Sequence, residues 1–256
     1  MPTYNTGVTA PVQRLRGGED RSLVEQAAEA ILHAIARGVF LPGDRMVEAY
    51  IARDLGFSRV PVREALRRLE SQGLLEAAGP RGGLWLIEPT QRDVDELIEL
   101  RRFMEVLALR KAMANKDKAE RWTMMRYAVQ EGAAAAATKD SGRMLAADRL
   151  FHKGLWQAAG HTLLFTSLSQ LSQRQMVMWS VVQDALAFDV AQSEHEGILA
   201  AIEAEDLKTA ERRLSYHVRW LAREDLKQAL TAAREMRARA AKNAASHPQS
   251  SEGLIS

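Results

Sequence analysis

Leu55-Gly56-Phe57-Ser58-Arg59-Val60-Pro61-Val62-Arg63-Glu64-Ala65-Leu66-Arg67-Arg68-Leu69 is the stretch that decides the fold. Gly56 can take the left-handed conformation that stops a helix, so residues 48–55 read as a short helix, and Ser58 can cap another running to about Gln72. Upstream, Leu23, Ala27, Ala30, Ile31 and Ala34 recur at helical spacing, with Ser22 as N-cap and Gly38 just past the end. The Leu41-Pro42-Gly43-Asp44 segment must leave helical geometry, because proline removes a donor and Gly and Asp favour turns. Downstream, residues 74–77 and 84–87 are extended runs on either side of Gly79-Pro80-Arg81-Gly82-Gly83, which reads as a small β-hairpin. Helix, tight turn, helix and hairpin in this order make a winged helix-turn-helix, whose second paired helix can enter a DNA major groove.

Pro89 breaks the chain and Thr90 can cap a new helix, which places a domain boundary at residues 88–91. Beyond it the helical pattern continues over residues 93–114, 116–138, 141–159, 163–184, 190–204 and 206–240, almost without strand candidates. The expected fold is therefore mainly α: an N-terminal winged helix-turn-helix with a small β-hairpin, then an all-α helical bundle. The expected divisions are a flexible arm over 1–20, the DNA-binding domain over 21–88, the helical domain over 89–232, and a helix end and disordered tail over 233–256. The alanines near Ala133 favour helix intrinsically and would also let neighbouring helices approach closely.

A length of 256 residues suggests two domains, and 46% hydrophobic with 27% charged residues is close to the globular average. The absence of cysteine excludes disulfides, thiolate zinc sites, iron–sulfur clusters and a cysteine nucleophile, so any metal falls to His, Asp or Glu. Uninterrupted apolar runs reach only five residues, as in residues 133–137, whereas a membrane span needs roughly 20. The N-terminus carries no apolar signal region, and a soluble cytoplasmic protein without membrane partners is expected. The net charge of +2 decides nothing about nucleic acid, so the DNA argument must be local.

Locally it is strong. Residues 53–68 hold five arginines against Asp54 and Glu64, a balance of 5 − 2 = +3. Ser58, Arg59 and Val60 open the recognition helix, where backbone N–H groups face phosphate and side chains reach base edges. Arg63 lies one turn beyond Arg59, and a guanidinium can grip guanine O6 and N7 with two parallel hydrogen bonds. Leu66 and Leu69 occupy another face and belong to the core. At the wing tip Arg81 and Gly82 combine a charge with a flexible backbone suited to phosphate or the minor groove. An arginine-rich helix alone is usually a solvated face; the surrounding architecture is what turns these arginines into readers.

On these residues the chain resembles the GntR family of bacterial transcription regulators. Ile35-Ala36-Arg37-Gly38, Leu41-Pro42-Gly43-Asp44-Arg45, residues 55–69 and Gly73-Leu74 are similar to its DNA-binding signature over about 65 residues. Ala49 departs from the arginine that members often carry beside the residue matching Glu48, so one DNA contact of the family is missing at this position.

In the second half Asp148 and His152 are four residues apart, one turn along one helical face, and suit chelation of one ion. His195 and His217 can complete the shell, and three imidazoles with one carboxylate suit Zn²⁺, Ni²⁺ or a similar divalent ion. Taken alone, each histidine also reads as a hydrogen-bonded core or surface residue. The segment over residues 90–230 further resembles the FCD-type effector domain of GntR regulators, whose Asp and three His ligands align with Asp148, His152, His195 and His217. That resemblance implies the metal site, and its Glu-x-Arg-x-x-x-Glu pattern, matched by Glu99, Arg101 and Glu105, implies that Arg101 faces a pocket and binds an effector. A guanidinium beside a divalent ion suits a small carboxylate, although Arg101 also reads as the structural partner of Glu105 four residues on. His161 stands where members often have asparagine, either as an extra pocket group or as a helix-end residue. Trp156, Trp179, Trp220, Met176 and Met178 read as packing residues.

The leading function is a homodimeric repressor on double-stranded operator DNA, released by a small organic acid at the metal site. A metal-dependent enzyme with a DNA-binding appendage is the second class. Its one motif, His195-Glu196, fails as a zinc-protease signature because Leu199 stands where the second histidine belongs. A regulator for which the metal itself is the signal is the third.

Overall fold

Ser22 accepts a hydrogen bond from the Glu25 backbone N–H while the Glu25 carboxylate accepts one from the Ser22 N–H, and this reciprocal cap starts α1 (Leu23–Ala36). The computed structural model describes residues 22–77, 82–115, 120–182, 188–219 and 226–246. A turn over Leu41–Asp44, closed by the Asp44 carboxylate accepting from the Leu41 N–H, leads into β1 (Arg45–Met46). α2 (Glu48–Leu55) ends at Gly56, left-handed with φ 70°, and α3 (Arg59–Ser71) follows after Ser58. β2 (Leu75–Ala77) and β3 (Leu84–Leu86) pair antiparallel in the register Leu75 with Leu86. The expected hairpin is thus present, but β1 adds a third strand on β3, with Arg45 opposite Trp85, giving the order β1-β3-β2. Two residues carry no alternation that a sequence could reveal.

Thr90 forms a second reciprocal cap, with Asp93, and starts α4 (Gln91–Ala114). Five helices complete the bundle: α5 (Thr123–Thr138), α6 (Ser141–Ala158), α7 (Thr162–Val182), α8 (Phe188–Glu203) and α9 (Leu207–Val218). The alanine-rich α5 buries Ala128, Gly132 and Ala135 where it packs on α6 and α8, so the small side chains serve close approach as well as propensity. α10 (Leu226–Ser246) corrects two expectations: the single helix over 206–240 is two helices, and the expected helix end and disordered tail over 233–256 are helical as far as Ser246. The alanine, lysine and arginine content of α10 explains its persistence. The N-terminal arm, most of the wing turn including Arg81, Trp220 and the last ten residues lie outside the described residues.

Among the described residues there are two apolar cores, and the first does not stop at residues 88–91. It holds the winged-helix residues Ile31, Ile35, Leu66, Leu69 and Leu86, together with Val94 and Leu97 of α4, Met176 and Trp179 of α7 and Leu230 of α10. The second core fills the helical bundle around Phe151, Leu155, Leu168 and Ile198. Burial of shared apolar surface therefore joins the two halves, and α4 reaches from one core to the other.

Candidate functional site

Two places concentrate function-bearing chemistry: the outer face of α3 and the interior of the bundle. On α3 the packing residues Val62, Ala65, Leu66 and Leu69 turn inward, which leaves Ser58, Arg59, Val60 and Arg63 exposed on one side. Ser58 is the N-cap in extended conformation and its hydroxyl makes no capping hydrogen bond. The side chains of Arg59 and Arg63 are 66% and 49% exposed, so neither of the arginines expected to read DNA is packed away. Sequence reasoning missed what holds them. The Glu48 carboxylate accepts from Arg59 Nε at 2.9 Å, from Arg63 Nε at 3.0 Å and from Arg63 Nη2 at 3.2 Å. The Arg63 hydrogen bonds, joined by that from Arg59, outweigh burial and hold the Glu48 carboxyl below its ordinary range. A groove of about 360 Å³ separates α3 from the sheet, with Arg45, Arg63 and Arg67 on its walls. Gly82 has φ +63° and open space where a Cβ would stand, so its backbone conformation is what needs glycine. Arg45 lies across Gly83, its Nε 3.0 Å from where a Cβ would be, so the signature arginine of β1 sits beside the wing.

Inside the bundle, α6 supplies Asp148 and His152, α8 supplies His195 and the last turn of α9 supplies His217. One ligand atom from each of the four lies within 4.8 Å of all the others, and all four residues are buried. His217 Nε2 is 3.1 Å from His152 Nε2 and 3.0 Å from His195 Nε2; Asp148 Oδ1 is 3.4 Å from His195 Nε2 and 3.8 Å from His152 Nε2. Two carboxylates back the rings: Glu105 Oε2 is 2.8 Å from His152 Nδ1, and Glu194 Oε2 is 2.8 Å from His217 Nδ1. A ring whose Nδ1 donates to the carboxylate behind it is left, when it carries no second proton, with its lone pair at Nε2. Two such lone pairs meeting at 3.1 Å repel unless a cation accepts both. The donor set therefore fits a divalent metal, with His152 and His217 oriented by outer carboxylates, as metal-binding histidines usually are, and His195 stacked on Phe151.

The electrostatics agree. Burial, then the neighbouring His217 and His152, push His195 well below its ordinary 6.5, and burial lowers His152 against the pull of Glu105. Neutral imidazoles are the form that ligates. Burial pushes the Glu105 carboxyl up, but the charges of His152 and Arg101 and the His152 hydrogen bond outweigh it and hold the group at about 2. Arg101 is 4% exposed with Nε 2.7 Å from Glu105 Oε1, so the structural pairing foreseen for it is present. Arg102 is exposed. His161 accepts from the Leu164 N–H with Nδ1 at 3.3 Å, which makes it a helix-end residue of α7. Trp156, Trp179, Met176 and Met178 are buried in the cores, as packing residues should be. Glu105 and Glu194 were visible only as neighbours of Arg101 and His195; nothing in their spacing announces which ring each supports.

Residues 23–83 match the family described as bacterial regulatory proteins, gntR family, and residues 96–219 match the FCD domain. The probable D-xylose utilization operon transcriptional repressor of Paenarthrobacter nicotinovorans is 31% identical over 198 residues, covering 77% of this chain and 86% of that protein. The HTH-type transcriptional regulator McbR of Escherichia coli K12 is 28% identical over 192 residues, covering 72% of this chain and 84% of that one. Among solved structures, E. coli McbR/YncC superposes with a TM-score of 0.68 at 23% identity over 85% of this chain and 99% of that one, a likeness of fold. A putative GntR regulator from Rhodococcus sp. RHA1 superposes at 0.65 and 24% identity over 83% and 99%. No helix among the described residues is long and apolar enough to cross a membrane. On these matches the chain belongs to the GntR family of bacterial transcription regulators, in the group that carries an FCD effector domain, and is a regulator rather than an enzyme.

Proposed function

We propose that this regulator is a cytoplasmic homodimeric repressor whose hold on operator DNA is released by a small carboxylate bound at a divalent metal, Zn²⁺ or Ni²⁺, in the bundle. The observation that carries the reading is the convergence of Asp148, His152, His195 and His217 on one point, with His217 Nε2 3.1 Å from His152 Nε2 and 3.0 Å from His195 Nε2. Those four residues would hold the ion, and the ion supplies Lewis-acid positions at which a carboxylate oxygen can bind. Arg101 supplies the second anchor, because a guanidinium whose Nε is held by Glu105 keeps further donors for charge-assisted hydrogen bonds to the same ligand.

On DNA, Ser58, Arg59, Val60 and Arg63 enter the major groove, and Arg81 and Gly82 of the wing follow the backbone or the minor groove. Two copies match the two-fold symmetry of operators. Ligand binding shifts the population of dimer arrangements and so the spacing of the reading helices. The test is a thermal-shift titration with small carboxylates on metal-stripped and metal-reloaded protein, with bound metal counted by mass spectrometry. Stabilisation confined to the reloaded protein is expected. Equal stabilisation of both forms overturns ligand binding through the metal, and a change in DNA affinity from metal alone favours a metal sensor.

A further inference from the structure

We propose that the outward face of α4 is the seam on which a second copy of this chain packs, antiparallel and two-fold symmetric about Phe103. The inference rests on the dimeric reading above. α4 has one face turned into the cores, through Leu97, Arg101, Glu105, Ala108 and Leu109. Its other face carries Leu100, Phe103 and Leu107, which are 49%, 71% and 36% exposed. Spacings of three and four residues place them in one stripe along the helix. Among the described residues no other helix shows such a row: α5, α7, α8 and α10 each expose one large apolar side chain, and Leu207 and Tyr216 of α9, nine residues apart, point to opposite sides.

Charge says what covers the stripe. Glu96 and Glu99 lie on its N-terminal side and Arg110 and Lys111 on its C-terminal side. Glu96 and Arg110 each stand seven residues from Phe103, so a two-fold axis through Phe103 brings Glu96 of each copy beside Arg110 of the other. Parallel packing would set like charges together. Glu96 already accepts from Arg92 Nε at 2.8 Å, and Arg110 from its side donates to Glu211 at 2.6 and 3.0 Å, so the pairing across the seam would join two ion pairs into a network at each end. A self-complementary apolar centre closed by opposite charges is what a symmetric interface needs. The same helix carries Arg101 and Glu105 on its inner face, against His152, which puts the ligand cluster one helix thickness from the seam.

The chain contains no cysteine, so Phe103→Cys introduces a single thiol on the axis. Mild oxidation is expected to give a disulfide-linked dimer, while Leu163→Cys, at a 72% exposed position on α7, stays unlinked. Sedimentation of Phe103→Glu should show dimerisation weakened by roughly 30-fold or more, with the helical circular dichroism retained. A native dimer in which Phe103→Cys does not cross-link overturns the seam and leaves the dimeric reading standing. A native chain that stays monomeric, on DNA as well as free, overturns both.

Discussion

A histidine ligates a cation only through an unprotonated ring nitrogen, and in this chain two carboxylates fix which nitrogen that is. Glu105 holds His152 and Glu194 holds His217 from behind, each at 2.8 Å. Removing such an outer partner typically costs 10–100-fold in metal affinity, and Glu105→Gln and Glu194→Gln are each expected to lose about that much in a competitive metal titration. Glu105→Ala is more damaging, because it leaves the buried Arg101 without its counter-charge, and should cost about 3–5 kcal/mol in a denaturant melt. At the proposed DNA face Glu48 plays the corresponding part. It is expected to cancel one of two arginine charges and to aim both guanidinium groups. Glu48→Gln should raise affinity for random duplex, make its salt dependence steeper by about one phosphate contact, and lower the ratio of operator to random binding. Competition binding at two salt concentrations measures all three. Asp148 and His152 were legible from their spacing on one turn. His195, His217 and the Glu48 clamp were not legible that way, because each meets its partners only across a turn or between helices.

At the scale of elements the sequence announces what is periodic and capped. Ser22 and Thr90 begin helices where the capping pattern places them, and Gly56 ends one. It is silent on β1, which is too short to show alternation, and on the docking of α10, which depends on distant partners. α10 returns to the winged domain: Arg237 grips Asp44 with hydrogen bonds of 2.5 and 2.9 Å, and Arg234 reaches both Glu88 and the Pro42 carbonyl. Asp44 also closes the turn that launches β1. Arg237→Ala should cost under about 1 kcal/mol in global stability, since both partners are partly solvated. Its signature is local: hydrogen exchange over residues 41–46 should quicken while that of α6 stays unchanged.

For the whole molecule the shared first core matters most. Val94, Trp179 and Leu230 bury themselves against the winged domain, so the two halves named by the sequence are packed as one body across residues 88–91. Burial also sets the pH response of the metal-free chain. His152 and His195 have folded values below 6.5, so the unfolded chain takes up protons that the folded one refuses. Stability is then unaffected above 6.5 and falls as pH drops below it, which denaturation midpoints between about pH 7.5 and about pH 5.5 would record. Glu105 acts lower: its folded value of about 2 contributes stability above 4.5 that is lost as pH falls from 4.5 toward 2. Bound metal should suppress the first of these losses, because it holds the rings neutral.

Ligand control of this regulator requires a link between the buried cluster and α3. The direct measurement is operator affinity as a small carboxylate is titrated into metal-loaded native protein and into His152→Ala treated with the same metal. The native protein should release the operator, with its apparent dissociation constant rising at least tenfold at saturating ligand, while His152→Ala shows no response. An equal loss of affinity in both proteins would contradict control through the cluster.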